Sequence, residues 1–257
     1  MHKLKLLTIN LHCLEEPNIK QNQETIVSEI IKRDIDIIFL QEVAQNLKGR
    51  KLVEQIKESN YGYDLMQLLK EQNHIYYYYY TPIKESFNKY DEGIAILSKH
   101  KLKHVSSEYI SKTKDYSNWK SRKMIQAELH IADEIITLVS VHLGWSDGNE
   151  VFENQVEKLL SSLKEENQWL LAGDFNVNPN SKEYQFLLNK GLIDLYGLNQ
   201  EHLYDATHIS DMDIHDGSNR IDYFFSTKTY QVLEQEILFQ EKRVSDHFGV
   251  YLSIKLT

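Results

Sequence analysis

"LLAGDFNVNP", residues 170–179, is an apolar run that stops at Gly173 and turns polar at Asp174 and Asn176. Leu170, Leu171 and Ala172 have the composition of a buried strand. Side chains alternate across a strand, so Asp174 and Asn176 are expected on one face and Phe175 on the other. Gly173 admits a close approach of another backbone, and Pro179 ends further pairing. A single instance has a plain competing reading, because Asp and Asn often cap turns.

The pattern recurs along the chain. "LLTIN" ends at Asn10, "IIFLQE" at Glu42 and "ITLVSVH" at His142. "DEGIAILS" sets Glu92 just before an apolar run, "RIDYFF" places Asp222 inside an aromatic one, and "VSDHFGVYL" puts Asp246 and His247 at the opening of the last strand. Each alone is a plausible cap or a satisfied core polar group. Together they form a set rich in Asn, Glu, Asp and His at strand ends, where α/β folds place their sites.

Between these ends the periodicity predicts helices over 23–32, 49–58, 64–72, 151–163 and 181–188. Strands are expected at 3–9, within 34–43, and at 93–98, 102–110, 123–131, 135–142, 168–175, 220–226, 232–239 and 250–256. In "IYYYYYTP" a period of two sends Tyr76, Tyr78 and Tyr80 one way and Tyr77 and Tyr79 the other. That reads as an aromatic strand, with a ligand-stacking wall as the alternative. The two halves each mix strands with helices, which suggests two sheets packed together with helices outside. Three prolines and ten glycines leave little for a flexible linker, so 1–257 is expected to form one domain.

The bulk properties narrow the function. A net charge of −9 repels a phosphate backbone, which argues against a broad nucleic-acid footprint while leaving room for a nuclease with a local basic patch. Cys13 is the sole cysteine, so neither an intramolecular disulfide nor a cysteine metal cluster is available, and a small buried residue is the expected role. The apolar start is broken by Lys5, Asn10 and His12 and fits a first strand better than a signal peptide. A soluble, cytoplasmic protein is expected.

The strand-end set restricts the chemistry. Carboxylate and amide oxygens suit a hard cation such as Mg²⁺, which binds one or two carboxylates together with substrate phosphate oxygens. Histidines beside carboxylates suit proton transfer. The combination points to metal-assisted phosphoester hydrolysis.

The stretches "TINLH", "FLQEV", "EGIAILS", "SVHLGW", "GDFNVNP", "RIDYFF" and "SDHFGV", in this order from residue 8 to 250, resemble the endonuclease/exonuclease/phosphatase superfamily, the deoxyribonuclease I-like proteins. The resemblance implies a four-layered α/β/β/α sandwich, two mixed sheets face to face with helices outside. It implies a metal held by Glu42, with Asn10 and Asp246 beside it, Mg²⁺ being the expected ion and Mn²⁺ a substitute. It makes Asp174 the group that orients or deprotonates the attacking water, with His247, held by Asp222, as the other candidate base. Asn176 would steady the phosphoryl oxygens. His142, supported by Glu92, would bond a non-bridging oxygen or protonate the leaving group, and Arg122 would add positive charge. Arg122 has a solvated turn as its competing reading. Asn219 and Arg220 are read either as substrate contacts or as structural residues.

"NKYDEG" and "SKTKDYSNWKSRK" resemble small bacterial sugar phosphatases of the maltose 6'-phosphate phosphatase type; the chain departs from that group at Ser146, where a second aromatic is usual. A phosphorylated sugar is therefore the expected substrate, with no membrane partner and nucleic acid disfavoured. Trp145, Trp119 and Tyr116 are read as a sugar platform or as packing, and Lys114, Lys120 and Lys123 as phosphate contacts or a solvated loop. The alternatives are a phosphodiesterase (a nuclease, or a sphingomyelinase-like enzyme) and an inactive binding module on the same fold.

Overall fold

The computed structural model describes residues 2–164, 167–209 and 220–256. The chain runs β1 (Lys3–Asn10), α1 (Ile19–Arg33), β2 (Ile37–Asn46), β3 (Lys51–Val53), β4 (Ile56–Lys57), α2 (Tyr61–Glu71), β5 (Tyr77–Ser86), β6 (Tyr90–Ser98), β7 (Lys103–Tyr109) and β8 (Lys123–Ile131). It continues with β9 (Glu134–His142), α3 (Phe152–Ser161), β10 (Gln168–Asp174), α4 (Lys182–Asn189), β11 (Ile193–Asp194), β12 (Asp222–Ser226), β13 (Gln231–Leu238) and β14 (Gly249–Lys255).

Two six-stranded sheets form, in the orders β13-β14-β1-β2-β6-β5 and β11-β12-β10-β9-β8-β7. Each has one parallel pair at its centre, β1–β2 and β9–β10, and antiparallel neighbours on both sides. The parallel pairs need crossovers, which α1 and α3 supply.

Three apolar layers hold these elements. Leu4, Leu6 and Phe39 of one sheet meet Leu138, Leu170 and Phe224 of the other. Leu7, Ile9 and Ile38, from the opposite faces of the same strands, pack against Ile26 and Ile30 of α1 and Tyr61 and Leu65 of α2. Val139, Val141 and Leu171 pack against Phe152, Val156 and Leu159 of α3 and Tyr184 of α4. The helix residues recur at three- and four-residue spacing, which makes one apolar stripe per helix. The result is the expected α/β/β/α sandwich. Among the described residues no helix is long and apolar enough to cross a membrane.

The tyrosine run behaves as its alternation requires. Tyr76, Tyr78 and Tyr80 join the helix-side layer, and Tyr79 packs on the inter-sheet layer. The helix expected over 49–58 is instead the β3–β4 hairpin. Leu52 and Val53 there are exposed, so a helix would have had no apolar face to bury.

Arg220 is a structural residue. It is fully buried and forms a two-pronged pair with Asp194, Nη1 to Oδ2 at 2.7 Å and Nη2 to Oδ1 at 2.6 Å. Its guanidinium lies over the Tyr223 ring at 4.4 Å, and Tyr184 donates to the same Asp194 carboxylate. Asn219 lies outside the described residues. Removing one partner of such a pair leaves a buried charge uncompensated, so Arg220→Ala is expected to lose about 3–5 kcal/mol in urea denaturation. A loss below about 1 kcal/mol, the value of a surface pair, would contradict this placement.

Candidate functional site

The directions of the strands gather the polar residues at one end of the sandwich. β1, β2, β9 and β10 finish there, and the antiparallel β6, β8, β12 and β14 begin there. Asp174 at the end of β10 therefore sits in register with His142 at the end of β9 and with Asp222 at the start of β12. These positions continue the inter-sheet face. Leu4 and Leu6 are followed two residues at a time by Thr8 and Asn10, Leu138 by Ser140 and His142, and Leu170 and Ala172 by Asp174. Gly173 is required in β10: its φ is +145°, and a Cβ would stand 1.9 Å from the Val141 carbonyl oxygen.

Asp174 is the hub. Its Oδ2 accepts from Asn10 Nδ2 at 3.1 Å and lies 3.6 Å from His142 Nε2 and 3.7 Å from His247 Nε2. Asn10 also donates to Glu42 Oε1 at 3.1 Å, so one amide joins carboxylates from both sheets. His247 Nδ1 is 2.9 Å from Asp222 Oδ2. The other Asp222 oxygen is buried without a hydrogen-bond partner. Burial, reinforced by repulsion from Asp222, pushes Asp174 up to about 7. Burial opposes a charged His247, but Asp222 and Asp174 outweigh it and raise the imidazole to about 10. His142 is driven the other way, well below the ordinary histidine range, by burial and by Arg122 and Lys84. The site thus holds one charged and one neutral imidazole on either side of a carboxylate with a poised proton.

Asp174, His142 and His247 line an open cleft of about 590 Å³ with Glu42, Lys84, Arg122, Asn176, Asp246, Trp119 and Trp145. Glu42 is raised by burial and by Glu92, a deficit of positive charge that a divalent cation at the cleft face would relieve. Glu42, Asp246 and the Asn10 carbonyl offer oxygen alone, which suits a hard ion. The Asn10 oxygen accepts one bond, from the His12 N–H at 3.0 Å, and keeps a second lone pair. The donor set fits a divalent metal.

Sequence reasoning and structure differ at several residues. Asp174 and Asn176 do both reach the cleft, but not by alternation, since β10 stops at Asp174. Asn176 has φ +55°, its N–H bonds Asp174 Oδ1 at 2.9 Å, and its side-chain amide is anchored on the Leu143 carbonyl. Glu92 does not support His142 by a hydrogen bond. It pairs with Lys84 at 3.0 Å and accepts from Ser86, because those side chains project from the adjoining β5. Arg122 is buried in the cleft wall, with Nη1 on the carbonyls of Trp119 and Ser121. Trp119 and Trp145 form a half-exposed pair, ring centroids 6.1 Å apart, on the cleft rim. Tyr116 is not in the cleft; its hydroxyl is held by Asp91 at 2.6 Å. Lys120 pairs with Asp147, and Lys123 donates to the Pro82 carbonyl.

His12, Lys84, Phe87 and His208 also line the cleft, and of these Lys84, Phe87 and His208 carry no sequence signal of their own. His12 was detectable, two residues beyond Asn10 at a strand end.

A sequence profile of the endonuclease/exonuclease/phosphatase family matches residues 7–247. No curated protein matches the chain in sequence. Among solved structures, an endonuclease/exonuclease/phosphatase family protein from Leptotrichia buccalis aligns with a TM-score of 0.89 at 26% identity, over 98% of this chain and 100% of that one. The human Nocturnin catalytic domain with bound sulfate aligns at 0.71 and 18% identity, over 99% of this chain and 95% of that one. D. rerio TDP2 complexed with a single-strand DNA product aligns at 0.67 and 17% identity, over 99% of each chain. At these last two identities the likeness is one of fold.

The His247–Asp222 pair has a measurable consequence. A raised imidazole stabilises the fold fully below its ordinary 6.5, and the gain is lost as pH rises through about 10. In metal-free protein, NMR titration of His247 is expected to show a protonated ring through neutrality. Asp222→Asn should return that titration toward or below 6.5 and lower the melting temperature more at about pH 6 than at about pH 11. An unchanged titration would remove Asp222 as the cause.

Proposed function

The chain belongs to the endonuclease/exonuclease/phosphatase family of metal-dependent phosphoester hydrolases, and we propose that it is a phosphomonoesterase acting on a small phosphorylated sugar. The observation that carries the chemistry is the position of Asp174 Oδ2, bonded to Asn10 and facing both His142 and His247. A carboxylate pushed up to about 7 can take a proton from water at neutral pH. Asp174 orients the attacking water and accepts its proton. His247, fixed by Asp222, holds positive charge beside it and keeps the carboxylate in place. Neutral His142 donates to a phosphoryl or leaving-group oxygen, while Asn176 and Arg122 face the same group from the cleft wall. Glu92 acts by setting Lys84 in that wall. Glu42, Asn10 and Asp246 would hold the divalent ion, Mg²⁺ or in its place Mn²⁺, which when bound neutralises phosphoryl charge.

The substrate reading rests on charge and size. Of the described residues lining the cleft, Lys84 and Arg122 alone carry a permanent positive charge. A long nucleic acid needs many backbone contacts, and the net charge of −9 opposes it. The exposed Trp119 and Trp145 offer apolar faces to a sugar ring. Phosphodiester cleavage is the second reading, favoured by the alignment with TDP2 in complex with DNA.

Phosphate release from a panel of sugar monophosphates that includes maltose 6'-phosphate, with Mg²⁺, tests the proposal. Wild type is expected to release phosphate, and Asp174→Asn to lose on the order of 10²–10⁴-fold in kcat with its fold intact. Near-wild-type turnover in the variant would refute the role of Asp174. No release from folded, metal-loaded wild type, together with nicking of plasmid DNA, would move the assignment to diesters.

Chelation gives a separate check. EDTA is expected to abolish hydrolysis and added Mg²⁺ or Mn²⁺ to restore it. Activity persisting in chelator would rule out the metal assignment.

A further inference from the structure

We propose that the cavity between β5 and β7 is a second ligand site and that it takes the ring of an uncharged sugar. It shares no lining residue with the cleft at the strand ends.

The place comes from the edges of the sandwich. β5 closes one sheet and β7 closes the other, and Thr81 Oγ1 meets Ser107 Oγ between them at 3.2 Å. A space of about 570 Å³ opens beside that contact, inside the roughly 300–1,000 Å³ range of small-molecule sites. Tyr78, Tyr79 and Tyr80 line it from β5, and Val105, Ser106 and Ser107 from β7. These are consecutive residues, whereas one face of a strand offers alternate ones. The space therefore meets the open edges of both strands, each of which pairs on one side only. The tip of the β3–β4 hairpin, residues 53–56, adds a third wall.

The aromatic wall is fixed from behind. Tyr78 donates its hydroxyl to Asn60 Oδ1 at 2.6 Å, and the Tyr79 hydroxyl accepts from the Leu102 N–H at 3.0 Å. The rings of Tyr78 and Tyr80 lie nearly parallel, 10° between planes and 6.2 Å between centroids. Two glycines make room for them: a Cβ on Gly62 would stand 2.7 Å from the Tyr78 hydroxyl, and one on Gly93 2.8 Å from the Tyr80 ring. Packing alone is the competing account. It suffices for the buried Tyr76, but Tyr78, Tyr79 and Tyr80 all stay partly exposed. It also leaves the hairpin without a purpose, since Leu52 and Val53 there are exposed and bury nothing. Yet the hairpin is held in place: Gln45 Nε2 donates to the Gln55 carbonyl at 3.0 Å, and Gln45 Oε1 accepts from the Lys57 N–H at 2.8 Å.

The chemistry of the walls selects the ligand. Among the described lining residues there is no lysine, arginine or histidine, so an anion finds no counter-charge, and Glu54 carries the one charge. The side chains of Gln55 and Ser106 make no hydrogen bond within the described residues, and both line the space. A carboxylate, an amide and hydroxyls thus surround ring faces. A sugar ring matches that arrangement, with C–H groups on its faces for the tyrosines and hydroxyls at its rim for the polar groups. A purely apolar ligand would leave those polar groups unpaired.

Full-length protein labelled in its tyrosine rings, titrated with glucose or maltose and followed by NMR, tests the proposal without turnover. The ring signals of Tyr78 and Tyr80 are expected to shift saturably with at least one of the two sugars, and inorganic phosphate to leave them in place. Ser106→Trp, at an exposed position, fills the space, and Glu54→Ala removes its carboxylate. Each should weaken the binding by at least about 10-fold, with circular dichroism unchanged. Trp145→Ala, which alters the cleft rim, should leave the tyrosine shifts and their midpoint as in wild type. The proposal falls if neither sugar moves the tyrosine signals, if phosphate moves them equally, or if Ser106→Trp and Glu54→Ala both bind as wild type does. It also falls if Trp145→Ala abolishes the shifts, which would place the sugar in the cleft. No phosphate release is read, so either result leaves the hydrolase assignment to its own assay.

Discussion

In strands of both sheets, every second residue faces the neighbouring sheet, and this period of two is the constraint on which the site depends. Leu4 and Leu6, Leu138, Leu170 and Phe224 fill the shared layer. Asn10, His142, Asp174 and Asp222 occupy the same faces one or more steps further along. The site is therefore the polar continuation of the core. A register slip of one residue in any of these strands would send its catalytic candidate to the helix side and an apolar residue into the cleft. Folding the core correctly and assembling the site are one event.

Placing carboxylates at the end of an apolar layer costs free energy unless each finds a partner. The structure meets that cost in sequence across the two sheets. Glu42 accepts from Asn10, Asn10 also bonds Asp174, and His247 sits between Asp174 and Asp222. Asp174 and His247 are both displaced upward, the carboxyl by burial and by repulsion from Asp222, the imidazole by Asp222 and Asp174 against its own burial. His142 lies as near to Asp174 as His247 does, but burial and the charges of Arg122 and Lys84 hold it well below the ordinary histidine range. Two histidines of identical chemistry are thereby given different work by their neighbours.

How much of this the sequence discloses depends on whether a residue's place follows from local periodicity. Strand ends do follow from it: Asn10, His142 and Asp174 end β1, β9 and β10 and each interrupts an apolar run, whereas Glu42, expected at a strand end, lies inside β2 at a register shift with φ +49°. The sandwich was visible for the same reason, since continuous apolar strands need cover on both faces. Partner choice was not visible. Glu92 faces Lys84 because β5 and β6 are paired with an irregular register between Pro82 and Lys84, and no spacing within either segment reports that. Arg220 stays open between a substrate contact and a structural residue in the sequence, because a buried guanidinium cannot be told from an exposed one until Asp194 is found beside it. The 49–58 segment carried a helical spacing of apolar residues but no surface on which to bury them.

The same distinction separates chemistry from specificity. Asn10, His142, Asp174 and Asp222 are set by strand register, which tolerates little variation. The residues that meet the rest of a substrate sit on turns: Phe87 between β5 and β6, Trp119 between β7 and β8, Trp145 between β9 and α3. Turns vary without disturbing the layers beneath them. A family can therefore keep one reaction while changing what it acts on, and family membership speaks to the first far more strongly than to the second. In this chain the rim is aromatic and the cleft carries few permanent cations. The proposal of a small phosphorylated ring rests on those two properties rather than on the polar layer at the strand ends.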